Sequence, residues 1–169
     1  MLIRPMSPRD LPGVLAVQQL CYAPDFLEPP AAFASKLDGA ADTCWVADDG
    51  TDAMARIHAY LVCLPVDAHS LPALHAAQWR RPAQARWLYL HDLAVGPQAR
   101  GQAMGPRLVA QARQQAQALG LQQLVLVAVQ DSVGFWSRLG FAEQPLPTGV
   151  ARDKLASFGT QARFMAAEV

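Results

Sequence analysis

Residues 87–129 constrain the fold more than any other part of the chain. They read as a strand (WLYLHDLAV, 87–95), a loop of small residues (GPQARGQAMG, 96–105), a helix (PRLVAQARQQAQALG, 106–120) and a second strand (LQQLVLVAV, 121–129). Leu108, Ala112, Ala116 and Leu119 give the helix its apolar stripe, and Gly120 is placed to end it. The second strand is almost wholly apolar, as expected in the middle of a sheet covered on both sides. A loop of small residues that opens a helix leaves backbone N–H groups unpaired, and the helix dipole adds partial positive charge there. The combination favours a phosphate or pyrophosphate. Gly101, Ala103 and Gly105 carry no bulky side chain, so a ligand can approach the backbone closely.

Two common phosphate loops do not fit. A P-loop needs a Gly-Lys pair, and the chain has none. A dinucleotide fingerprint belongs after an early strand with an acid about 20 residues on, and this loop lies past the middle of the chain.

The remaining segments supply partners for this unit. Residues 2–5 suggest a short strand. Ser7-Pro8-Arg9-Asp10 then opens a helix in which Leu11, Val14, Val17 and Cys21 recur at helical spacing. Phe33 and Leu37 mark a second helix ending near Gly39, and residues 43–47 and 54–64 read as strands. Residues 65–86 are the least readable stretch, with a helical turn or two expected in 71–79. A short helix over 131–139 and a strand at 162–167 complete the chain. There is no internal repeat or linker, so residues 1–169 are expected to form one α/β domain.

Composition sets the outer bounds. With 52% hydrophobic and 17% charged residues, the chain can build a sizeable core. Fourteen basic side chains balance fourteen acidic ones, so no general field attracts nucleic acid or an anionic membrane. No apolar run approaches the roughly 20 residues that span a bilayer, and the N-terminus lacks a signal-peptide core. A cytoplasmic protein is expected. Three scattered cysteines, Cys21, Cys44 and Cys63, give neither a disulfide framework nor a metal site.

With these residues in view, the chain resembles the GNAT superfamily of N-acetyltransferases. Leu93-Ala94-Val95 matches the strand end of that family, and Pro97 its usual proline. Arg100-Gly101-Gln102-Ala103-Met104-Gly105 matches its acyl-CoA loop, with Ala103 standing where glycine is usual. Alanine there still leaves its amide accessible if its φ is negative. Phe135-Trp136-Ser137-Arg138-Leu139-Gly140-Phe141, about 30 residues on, looks like the aromatic-pair segment of the family. The resemblance covers nearly the whole chain. It implies the GNAT-like fold, a central mixed sheet flanked by helices. It also implies acetyl-CoA as co-substrate, without a metal. The amides of Arg100, Gly101, Gln102, Ala103, Met104 and Gly105 would hold the pyrophosphate. Main-chain groups of Leu93, Ala94 and Val95 would meet the pantetheine arm. Phe135 and Trp136 would line the thioester end.

The reaction so implied needs three proton or charge devices. A protonated amine must lose a proton before it attacks the thioester. The oxyanion that forms needs a donor such as the Val95 N–H, and the departing thiolate takes up a proton. Many relatives carry a tyrosine as the second aromatic. Here it is Trp136, whose indole is far too weak an acid. Tyr22, Tyr89, Ser132 or water can stand in. The strand acid of many relatives is replaced by Tyr89. His91 lies two residues on, on the same face by strict alternation, and Asp92 falls on the other. His91, Tyr89 and Ser132 are therefore the catalytic candidates. Tyr22, Asp25, Glu28 and Asp92 are candidates for binding the acceptor, a small amine or a peptide N-terminus. A homodimer is left open. The rival reading is an acyl-CoA-binding regulatory module of the same fold without catalysis.

Overall fold

The computed structural model describes residues 1–50, 56–150 and 152–169. Among them, seven strands form one sheet in the order β1-β2-β3-β4-β5-β7-β6. They are β1 (Leu2–Pro5), β2 (Cys44–Asp48), β3 (Ile57–Val66), β4 (Trp87–Val95), β5 (Gln123–Ala128), β6 (Ala142–Glu143) and β7 (Arg163–Glu168). Only β4 and β5 run parallel; every other neighbouring pair is antiparallel. The sheet is mixed, as the family resemblance implies, and β5 lies inside it. The first two residues of the strand expected over 54–64 lie outside the described residues.

Helices cover both faces. Helices α1 (Leu11–Cys21) and α2 (Pro30–Ala40) pack Val14, Val17, Phe33 and Leu37 on one face, against Tyr60, Tyr89 and Val125. On the other, α3 (Met104–Ala118) packs Leu108, Val109, Ala112 and Ala116 against Leu88, Leu90, Leu124 and Leu126. Helix α4 (Val133–Arg138) adds Trp136 to that second core. A short α5 (Arg152–Ala156) precedes β7. Asp10 accepts a hydrogen bond from the Ser7 backbone N–H at 2.8 Å, the reach-back expected at a helix start. A 3-10 turn over Pro8–Asp10 leads into α1.

Residues 71–79 form one tight turn in otherwise irregular chain, not the helical turn or two expected. The segment is held by side chains instead. Trp79 is buried and its indole N–H donates to the Ser70 carbonyl at 3.0 Å. The His75 backbone N–H donates to Glu28 at 3.0 Å, and Leu74 N–H to the Ser157 hydroxyl at 2.9 Å. Tertiary partners satisfy its main chain, so no helical ladder is needed.

Two features of β4 position the site. Its pairing with β5 runs from Trp87↔Gln123 to Leu90↔Leu126 and stops there. Beyond Leu90 the two parallel strands have no ladder between them. Against β3, Leu90 faces Cys63 and Asp92 faces Val62, so His91 is one extra residue in β4. This β-bulge shifts the alternation by one. Tyr89 packs on the α1–α2 side, and so does Ala94, five residues on. Asp92 reaches the same side, where the Tyr60 hydroxyl donates to its Oδ2 at 2.8 Å. His91 and Asp92 therefore share one face, contrary to strict alternation.

Candidate active site

The cleft opens where β4 and β5 part, with a volume of about 210 Å³. One wall is β4 from Leu90 to Val95, and the other is formed by Val127 near the end of β5 with Val129 and Gln130 just beyond it. Ser132, Phe135 and Trp136 close one end and Arg100 stands at the loop. Cys21, Tyr22, Phe26 and Glu28 enter from the α1–α2 side, and Leu74 and Phe158 come from the two long connections.

Main-chain groups on the open edge of β4 come first. The Gly96 N–H donates to the His58 carbonyl at 2.8 Å, so Gly96, Ala94 and Asp92 turn their backbone toward β3. Leu93 and Val95 consequently turn theirs toward the cleft. Their carbonyls are occupied: the Tyr22 hydroxyl donates to Leu93 at 2.8 Å, and the Cys21 thiol to Val95 at 3.4 Å. The N–H groups of these two residues, and the second lone pair of each carbonyl, remain for a ligand. Burial pushes the Cys21 thiol up, while Arg100 pulls the other way.

The loop carries the geometry the sequence asks for, with one correction. Among the described residues, no acceptor pairs the amides of Gly101, Ala103, Met104 and Gly105. Those of Arg100 and Gln102 make long bonds of 3.4 Å to Pro97 and Ala99. Gly101 has φ +77°, and a Cβ built there meets nothing within 4 Å. Ala103, however, has φ +54°, so it is left-handed and not at the negative φ assumed for it. Gly105 answers to packing: a Cβ there lies 3.0 Å from Phe135 Cζ. Phe135 and Trp136 meet edge to face at 4.9 Å, and Trp136 meets Phe141 at 5.5 Å. Trp136 thus serves both the cleft wall and the core.

The polar side chains sort differently from expectation. Tyr89 is fully buried and absent from the cleft lining, and its hydroxyl has no partner among the described residues. Burial pushes its phenol well up, and Glu28 and Asp92 push further. Its ring meets that of His91 edge to face, with the centroids 5.4 Å apart. Asp25 is exposed and outside the lining. Its carbonyl accepts from His75 Nε2 at 2.8 Å. Glu28 is buried, but its charge is already matched. Lys36 Nζ donates to both carboxylate oxygens at 3.1 and 3.0 Å, and His91 Nε2 lies 2.9 Å from Oε2. Burial alone raises the Glu28 carboxyl; His91 and then Lys36 outweigh it and hold the group at about 2. A cationic acceptor would compete with both partners for this carboxylate.

Two acceptor-capable atoms remain free on the bulge. His91 Nδ1 and Asp92 Oδ1 are buried without a partner among the described residues, and both residues line the cleft. Burial pushes the Asp92 carboxyl above the usual range, against the pull of His91 and the hydroxyls of Tyr22 and Tyr60. Ser132 lines the cleft at the start of α4. Lys36, Tyr60 and Cys21 were not among the sequence candidates. Lys36 had a signal, since it falls within the inward stripe Ala32, Phe33, Leu37 and Ala40 of α2. Among the described residues, no group of three or more His, Cys, Asp or Glu can hold a metal ion.

A mixed α/β sheet whose central parallel strands part beside a loop of unpaired amides defines the architecture of acyl-CoA N-acyltransferases. The chain belongs to the acetyltransferase (GNAT) family, whose sequence pattern matches residues 12–141. Solved structures bear out the fold. A GNAT-like decarboxylase, GphF, in complex with isobutyryl-CoA superposes with a TM-score of 0.77 at 16% identity, over 99% of each chain. Rv2747 from Mycobacterium tuberculosis, in complex with CoA, gives 0.67 at 18% identity, over 100% of this chain and 99% of that one. The ribosomal-protein-S18-alanine N-acetyltransferase from Escherichia coli gives 0.65 at 17% identity, over 99% and 93%. No curated protein matches the sequence significantly.

Proposed function

We propose that the protein transfers an acetyl group from acetyl-CoA to a small primary amine or a peptide N-terminus, by direct attack in a ternary complex. The observation that carries this reading is one cleft with two free acceptor atoms, His91 Nδ1 and Asp92 Oδ1, ending at a loop of unpaired amides. CoA-bound relatives of the same fold support the choice of co-substrate. The amides of Gly101, Ala103, Met104 and Gly105 hold the pyrophosphate at the start of α3. The N–H groups of Leu93 and Val95 face the pantetheine arm, and Val95 N–H serves the oxyanion. The amine enters beside Phe26, Leu74 and Phe158. It gives one proton to His91 Nδ1 and attacks the thioester carbonyl with the lone pair set free. Once bonded to the acyl carbon the nitrogen sheds its second proton, which reaches the departing thiolate directly or by relay through Ser132 or water.

A thiol-release assay with acetyl-CoA and a panel of amines and short peptides tests the proposal. Amine-dependent CoA release is expected. Tight CoA binding with no turnover across the panel would instead favour the regulatory module, the reading to which Trp136 and Tyr89 lend weight. A carboxylated acyl-CoA without amine, read as carbon dioxide release, tests for the chemistry of the GphF neighbour.

A further inference from the structure

Lys36 and Glu28 form an ion pair in the protein interior, with side chains 1% and 2% exposed. A buried pair of this kind is a weak stabilising device, because the desolvation of both ions offsets most of their attraction. What distinguishes it is the third partner. Glu28 Oε2 meets His91 Nε2, and the His91 side chain is itself 2% exposed. An ionised carboxylate can only accept, so the hydrogen of that bond sits on Nε2. In the neutral ring, Nδ1 then carries the lone pair, and Nδ1 is the atom left without a partner in the cleft-lining residue.

We infer that Lys36 and Glu28 are positioning residues for His91: Glu28 fixes the ring with Nδ1 as its free acceptor, and Lys36 balances the carboxylate. This rests on the acyltransfer reading above and adds to it two residues that do not touch the substrate. The proton balance is closed. One proton passes from the amine nitrogen to Nδ1, where the ring becomes imidazolium and Glu28 faces the new positive charge, and the second goes to the departing thiolate. Without Lys36, the bare carboxylate would draw the ring into its charged form before the amine arrives. Without the Glu28 charge, the ring would face the Lys36 ammonium alone. The other ionisable groups around the ring are Tyr89 and Asp92 from β4, with Tyr60 of β3 and Tyr22 behind Asp92.

Two measurements test the inference. Nitrogen-15 NMR of the histidine-labelled, ligand-free protein reads which ring nitrogen of His91 carries the hydrogen. A protonated Nε2 with a bare Nδ1 is expected at neutral pH, and the reverse arrangement would overturn the inference. The acid limb of kcat/KM supplies the second. It should move up by about one pH unit in K36M and down in E28Q; movement in the same direction, or none, would refute a balancing role. Should a single variant fail to fold, the double variant K36M/E28Q leaves no lone buried charge, and its His91 should lose the preference for hydrogen on Nε2. Retention of that preference would count against Glu28. The NMR experiment needs no turnover, so an inactive protein with the expected ring state would sink the acyltransfer reading while upholding the hold of Glu28 on the His91 ring, and an active protein with the reverse ring state would sink the inference alone.

Discussion

At Ala103 the chain accepts a left-handed conformation, φ +54°, that costs a side-chain-bearing residue about 1 kcal/mol. Ala103→Gly should therefore raise stability by up to about 1 kcal/mol, read from urea unfolding, because glycine adopts this φ without penalty. Gly101, at φ +77°, predicts the opposite. Gly101→Val forces a β-branched side chain into the left-handed region and over the amides. CoA affinity should fall by about tenfold or more by calorimetry, as expected for losing one or two hydrogen bonds to a charged group. His91→Gln should leave CoA affinity unchanged and lower kcat by about a hundredfold or more, the range for losing a general base. Unchanged kcat would remove His91 from the chemistry.

Among the elements, β4 separates what a sequence can show from what it cannot. Its hydrophobic run, the small-residue loop and α3 were legible, because period and punctuation are local properties. Helix α3 starts at Met104, two residues before the expected Pro106, since the first turn is fixed by Ala103 and not by the proline. The bulge was not legible. One extra residue leaves the composition of β4 unchanged, and only its register with β3 reveals that His91 and Asp92 share a face. The Glu28–His91 contact spans 63 positions, and such pairings leave no local mark. Residues 71–79 misled because Ala and Leu favour helix in isolation, whereas side-chain partners decide here. Gly105 shows why α3 and α4 pack so closely. Gly105→Val should push against Phe135 and destabilise by about 1–3 kcal/mol in urea unfolding, with α4 the first element to lose amide protection.

Across the whole molecule, buried and bonded carboxylates set the acid limit. Asp10 resists the upward push of burial because Arg4 and Ser7 bind it, and it sits at about 2, as does Glu28. Both groups are lowered on folding, so their contribution is complete above the ordinary carboxylate range and is lost as pH falls toward 2. Unfolding free energy should decline steeply between about pH 4 and pH 2. Asp10→Asn should flatten that decline when the two proteins are compared by urea titration at each pH. The parted strands bear on the molecule at the same scale. Four ladder pairs, from Trp87↔Gln123 to Leu90↔Leu126, and the bond from the Gln122 N–H to the Arg86 carbonyl just before them zip the front of the sheet to the β5-β7-β6 wing. A slender guest bridging the gap would act as a rivet between the two wings. Occupancy and mechanical unity would then rise together, and the rear wing would breathe less whenever the seam is filled.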